Sequence, residues 1–173
     1  MQIAGAPLLE RRLMSPGEAL FEHCSHDKML LSHFGRAVMH FSTPLTLFGS
    51  LKRPQHGIDI KKGGIFPIVH GVRTMALERR IKPTSTLDRL EALVVDGRLD
   101  ERTAENLGEA LSLFTELRLK QQLQRLEGDQ EQAQSPDRVV VQQLSSLERD
   151  LLREALQIVK EFKQSLAQRY RFE

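Results

Sequence analysis

The sequence predicts an all-α domain, an antiparallel bundle of four or more substantial helices. Three observations carry that reading. Leu, Glu, Arg, Gln and Ala are abundant, and these residues favour helix over strand. Apolar residues recur at three- and four-residue spacing over long stretches. Capping residues and Gly or Pro stops separate those stretches by short connections, which suits antiparallel neighbours. The chain has 173 residues, room for one domain or one domain with a docked extension. Hydrophobic residues make up 40%, aromatics 5%, and Trp is absent, so the expected core is aliphatic.

Taken in order, Ser15-Pro16-Gly17-Glu18 reads as a helix start, and a short helix follows within an N-terminal extension or linker over residues 1–26. The helical domain then spans 27–173. Asp27 opens a helix in which Met29, Leu30, Phe34, Ala37, Val38 and Phe41 form one buried stripe, stopped at Thr43-Pro44. Leu45, Leu47, Ile58 and Ile60 alternate with other residues around Pro54 and Gly57, which predicts a short hairpin at 45–61. Gly63-Gly64 ends that stretch, and a helix begins near Ile65 with Pro67 in its first turn. A short helix capped within Thr84-Ser85-Thr86 runs to Asp96-Gly97. Asp100 caps a long helix over about 101–126, carrying Leu107, Leu111, Phe114, Leu117 and Leu126. An exposed loop covers 128–137. Ser145 and Glu148 have capping-box spacing, and the last helix follows on Leu147, Leu151, Ala155, Ile158, Phe162 and Leu166.

Charge and cysteine content narrow the function classes. Formal net charge is +2, so nothing global calls for nucleic acid. Residues 51–90 nevertheless hold nine bases and three acids, a local excess that suggests an anionic partner; the alternative is a solvated, mixed-charge face. Cys24 is the only cysteine, which excludes an internal disulfide framework and a thiolate zinc cluster and suits a reducing cytoplasm. No stretch approaches the ~18 consecutive apolar residues of a membrane span.

Three constellations could carry chemistry. Gly49-Ser50 followed by Asp59 has the outline of a polymerase-β-type nucleotidyltransferase, where two carboxylates one residue apart hold the metals that bridge nucleotide phosphates. Here Lys61 stands at the second position, and a cation there repels the metal. His26, His33 and His40 recur every seven residues, but no carboxylate or thiolate completes a metal site, and Cys24 beside His23 lacks an orienting third group. Lys61-Lys62-Gly63-Gly64 before a helix is the best anion-binding candidate. Glycines admit close backbone approach, the helix start presents unpaired N–H groups, and Arg73 could contribute from farther along. The alternative is a tight turn flanked by solvated lysines.

The run Gly57-Ile58-Asp59-Ile60-Lys61-Lys62-Gly63-Gly64-Ile65-Phe66-Pro67-Ile68-Val69-His70-Gly71-Val72-Arg73 resembles the signature of the putative nucleotidyltransferase substrate-binding domain. Further likeness lies at 45–49, 86–93, 116–123 and 144–152, so that it covers roughly 27–173. Phe66 and His70 depart from it, since family members often have a base and an acid there. That domain lies at the C-terminus of bacterial signalling proteins, after a nucleotidyltransferase domain similar to the N-terminal part of PII-protein uridylyltransferase. CBS and cyclic-nucleotide-binding-like modules often lie further upstream.

The resemblance implies a non-catalytic, cytoplasmic accessory domain with no cofactor or metal of its own. Nucleoside triphosphate and magnesium are expected in a catalytic domain absent from this chain. The implied partners are that catalytic domain and an acceptor protein or small molecule, with a homodimer allowed and neither nucleic acid nor membrane involved. Asp59, Lys61, Lys62, Gly63, Gly64, Arg73, Arg89 and Arg118 are the candidate substrate-binding residues, centred on the basic segment from Lys61 to Arg89. The alternative is a regulatory interaction or dimerisation module that binds no small molecule.

Overall fold

The computed structural model describes residues 21–22, 27–52, 54, 57–127, 135 and 137–171. The extension over 1–26, including His23, Cys24 and His26, lies outside the described residues apart from Phe21 and Glu22, as does most of the loop at 128–137. From residue 27 onward the described residues form five α-helices in order: α1 (Lys28–Arg36), α2 (Phe66–Glu78), α3 (Thr86–Val95), α4 (Glu101–Glu127) and α5 (Ser146–Tyr170). A two-residue antiparallel ribbon joins β1 (Ile58–Asp59) to β2 (Arg138–Val139). The chain is an all-α bundle, as the periodicity predicts.

The caps act where the sequence places them. Asp27 Oδ1 accepts the N–H groups of Met29 and Leu30, and Ser85 accepts that of Asp88. Asp100 accepts the Thr103 N–H at 2.9 Å. Ser145 and Glu148 complete a reciprocal capping box, satisfying two otherwise unpaired donors. Gly97 takes φ +67 after α3, a left-handed conformation that glycine adopts without steric cost. The two longest helices, α4 and α5, lie antiparallel, with Lys120 near the end of one bonded at 2.6 Å to Glu148 near the start of the other.

At the centre, α2 buries Ile68, Val72 and Met75 against Phe114 and Leu117 of α4 and Val159, Phe162 and Leu166 of α5. At Gly64, just before α2, and at Gly71 within it, the chain approaches both helices through glycine. A Cβ on Gly64 would lie 2.7 Å from the Phe114 ring, and one on Gly71 would lie 2.5 Å from Leu166 Cδ1. A methyl group at either position would force the facing side chain to move.

Three local expectations need correction. The single stripe on the first helix does not hold: Leu31, Gly35 and Val38 are buried while Met29 and Leu30 are exposed. The helix turns this face inward because Leu31 packs on Leu77, and after Arg36 it tightens into a 3₁₀ turn. Leu147 and Leu151 of α5 and Leu126 of α4 are exposed, and Leu152, Leu156 and Val159 take the core places. The 45–61 hairpin is two separate pairings. Leu45 bridges Leu51 across a tight turn, whereas Ile58 pairs with Val139 and Asp59 with Arg138. Ile58 and Val139 are both fully buried, so burial of the pair selects the distant partner. No helix among the described residues is long and apolar enough to cross a membrane.

Candidate binding cleft

An open cleft of about 850 Å³ lies between the arm at 40–54 and the start of α2. Asp59 shapes its floor. Its Oδ1 accepts the Lys62 N–H at 2.8 Å, so helical conformation begins at Ile60 rather than Ile65. Lys61–Ile65 then wind as a wide π turn that runs straight into α2. This alters the expected role of the glycines. Gly63 faces Pro44, where a Cβ would come within 2.8 Å, and Gly64 faces Phe114. Both are buried packing contacts, and the Lys62 N–H is already taken by Asp59. The segment is therefore not a cradle of free backbone donors.

The cations divide. Lys62 lines the cleft, its amine 3.9 Å from Asp59 Oδ2 and 5.6 Å from the Phe41 ring centroid. Lys52 and Arg138 line it too, the latter donating at 3.3 Å to the Gly57 carbonyl. Among the described residues Asp59 is the one acid in this lining. Lys61 and Arg118 are occupied by Asp137: the Lys61 amine stands 3.6 Å from it, and Arg118 Nε donates at 2.6 Å. Asp137 thereby anchors the chain entering β2, which in turn presents Arg138.

Arg73 and Arg89 lie elsewhere. Arg73 is three turns along α2 from Lys62, about 16 Å at the helical rise of about 1.5 Å per residue. Arg89 donates to the Pro83 carbonyl at 2.7 Å, and burial together with the Arg73 charge lowers its pKa. Arg79, also in the basic stretch, pairs with Asp96. Residues 51–90 are thus not gathered on one surface.

The arm is held from behind. The amine of buried Lys163 donates to the Phe41 carbonyl at 2.5 Å, and burial pushes its pKa down. His70 stacks between Phe34 and Phe66 at 4.4 and 5.1 Å, its Nε2–H donating to the Phe34 carbonyl at 2.7 Å; Phe41 meets Phe66 edge-on. Phe34, His70, Phe66 and Phe41 thus form one aromatic ladder that ends at the cleft lining.

His33 and His40 are exposed and do not share a helix, because α1 ends at Arg36 between them. Among the described residues no group of three or more His, Cys, Asp or Glu could hold a metal ion. Sequence reasoning missed His40 and Arg138 as cleft residues. Arg138 could not be found locally, since only the β1–β2 pairing brings it beside Gly57, 81 residues away.

The family model described as a putative nucleotidyltransferase substrate binding domain matches residues 28–170. No curated protein and no solved structure matches the chain.

Proposed function

The chain belongs to the putative nucleotidyltransferase substrate-binding domain family, and from that premise we propose that its basic cleft holds the phosphate or another acidic group of a nucleotidyltransferase substrate. The observation that carries this is the convergence of Lys52, Lys62 and Arg138 on one open cavity whose lining, among the described residues, holds Asp59 as its one acid. Asp59 caps the helix start and stands 3.9 Å from the Lys62 amine, so the exposed Lys52 amine is the base nearest to hand for an incoming anion. Gly63 lines the cleft beside Lys62, whereas Lys61, Gly64 and Arg118 lie outside the lining and support it. Arg73 and Arg89 lie outside it.

On this reading the domain is a cytoplasmic accessory module. It presents an acceptor or nucleotide to a catalytic domain that supplies the paired carboxylates, magnesium and nucleoside triphosphate, as in PII-uridylyltransferase-like proteins. Titration calorimetry of the chain with pyrophosphate and nucleoside triphosphates at low salt tests it. Binding is expected, weakening as salt rises and lost in Lys52→Glu with Lys62→Glu while the helical signal persists. Undiminished binding by that variant removes the cleft as the site.

A regulatory interaction module remains the second reading because the turn beside the cleft exposes Leu47 at 95% and Phe48 at 96%. Sedimentation at several protein concentrations separates the two. A tight dimer that ignores nucleotides and is dissolved by Leu47→Ser with Phe48→Ser selects the second.

A further inference from the structure

Away from the cleft, α3, α4 and α5 enclose two adjoining grooves of about 680 and 470 Å³. They share Leu87, Glu105 and Gly108 and so form one continuous face. Leu87, Val94, Val95, Leu113, Leu151 and Ile158 supply its apolar surface, with Val95 as much as 90% exposed. Gly108 widens it, because a helix residue without a side chain leaves space beside Leu87.

The charged residues that line this face are of one sign, although Arg102 and Arg153 stand next to Glu101 and Glu154 in sequence. Glu91, Glu101, Glu105, Glu109, Glu116 and Glu154 line the two grooves, and neither lining contains a Lys or Arg. None of the six makes an ion pair among the described residues, whereas Asp59, Glu78, Asp96, Asp137 and Glu148 each have a basic partner. Glu101, Glu105 and Glu109 follow at four-residue intervals on α4, a spacing at which like charges repel and destabilise a helix. A strip of unneutralised carboxylates bordering exposed leucine and valine is unfavourable for the domain alone. It becomes favourable when an apolar stripe flanked by cations covers it.

We propose that this face docks a basic amphipathic helix of another protein. The helix's apolar residues at three- and four-residue spacing would enter between α3 and α5, and its Lys or Arg side chains would meet the glutamates. This surface is independent of the phosphate cleft, and each can fail without the other.

The test uses the full 173-residue chain and a labelled synthetic helix of Leu and Lys, with leucines on one stripe, read by fluorescence anisotropy. Saturable binding that weakens with salt is expected, and the matching Leu/Glu helix should not bind. Glu105→Lys with Glu109→Lys should weaken binding at least tenfold. Val95→Ser with Leu151→Ser, which leaves every charge in place, should weaken it at least threefold. Lys52→Glu with Lys62→Glu should leave it no weaker. Circular dichroism of each variant checks that the helices persist. Equal binding by either groove variant, binding of the Leu/Glu helix, or no saturation overturns the proposal. So does self-association that Glu105→Lys with Glu109→Lys dissolves and the peptide cannot displace, because the groove then belongs to a second copy.

Discussion

Lys62 and Gly64 stand two residues apart in the same π turn and serve opposite sides of it. Gly64 faces a seam built from Phe114 and the apolar faces of α4 and α5. Lys62 faces an open cleft where charge, a capping carboxylate and an aromatic ring meet solvent. An atom added on the seam would displace the Phe114 ring, whereas the cleft leaves room for a ligand. One turn of backbone thus divides into a part that determines stability and a part available for binding.

Substitutions can sharpen or break that division. On the seam side, Phe114→Ala should lower stability by about 3–5 kcal/mol, since it removes a fully buried ring. Gly64→Ala should lower it by about 1–3 kcal/mol through overpacking. The two changes together should cost less than their sum, because the ring the new methyl would strike is gone. Denaturant titration of the singles and the double checks this; strict additivity would mean that Gly64 does not face the ring.

Asp59→Ala tests the boundary between the two sides. Loss of the cap on Lys62 should lower stability by about 0.5–2 kcal/mol and loosen the start of the turn. Hydrogen exchange should quicken at residues 60–63 and remain slow in α5.

A smaller effect is expected at Glu148. The Lys120 ammonium, with the Ser145 backbone N–H, holds its carboxyl down to about 2 from the ordinary 4.5. A carboxylate depressed on folding stabilises fully above its unfolded value, and that contribution fades as pH falls from about 4.5 toward 2. Glu148→Gln should therefore lower stability at neutral pH by no more than about 1 kcal/mol, given its partial exposure, and flatten that acid limb. Melting curves between pH 2 and 7 show it.

Least of all, Lys52→Ala should change stability by less than about 0.5 kcal/mol, as for other exposed residues, while weakening pyrophosphate binding. A large loss of stability there would place Lys52 in the structural framework and collapse the comparison.

How much of this was legible in the sequence varies with the range of the interaction. The two long helices were expected over about 101–126 and from about 146, and they occupy Glu101–Glu127 and Ser146–Tyr170. Their caps at Asp100 and Ser145 lie within three residues of the donors they satisfy, so the signal is entirely local. The anion-binding segment was locatable but its construction was not. Gly63 and Gly64 read as ligand-approach glycines because nothing nearby in sequence reveals Pro44 or the Phe114 ring pressing on them. Lys61 and Arg118 read as free cations because Asp137, the acid between them, is remote in sequence from Lys61.

By itself the sequence determined that the chain is helical, where its long helices begin, and that a family signature runs through residues 57–73. Each depends on periodicity, capping or residue identity over a few neighbouring positions. Only the tertiary structure decided which face of each helix is buried, that β1 pairs with β2, which bases line the cleft and which glutamates line the groove. Those outcomes depend on side chains brought together from distant parts of the chain. Burial and charge pairing are properties of the packed surface, and no local stretch of sequence contains them.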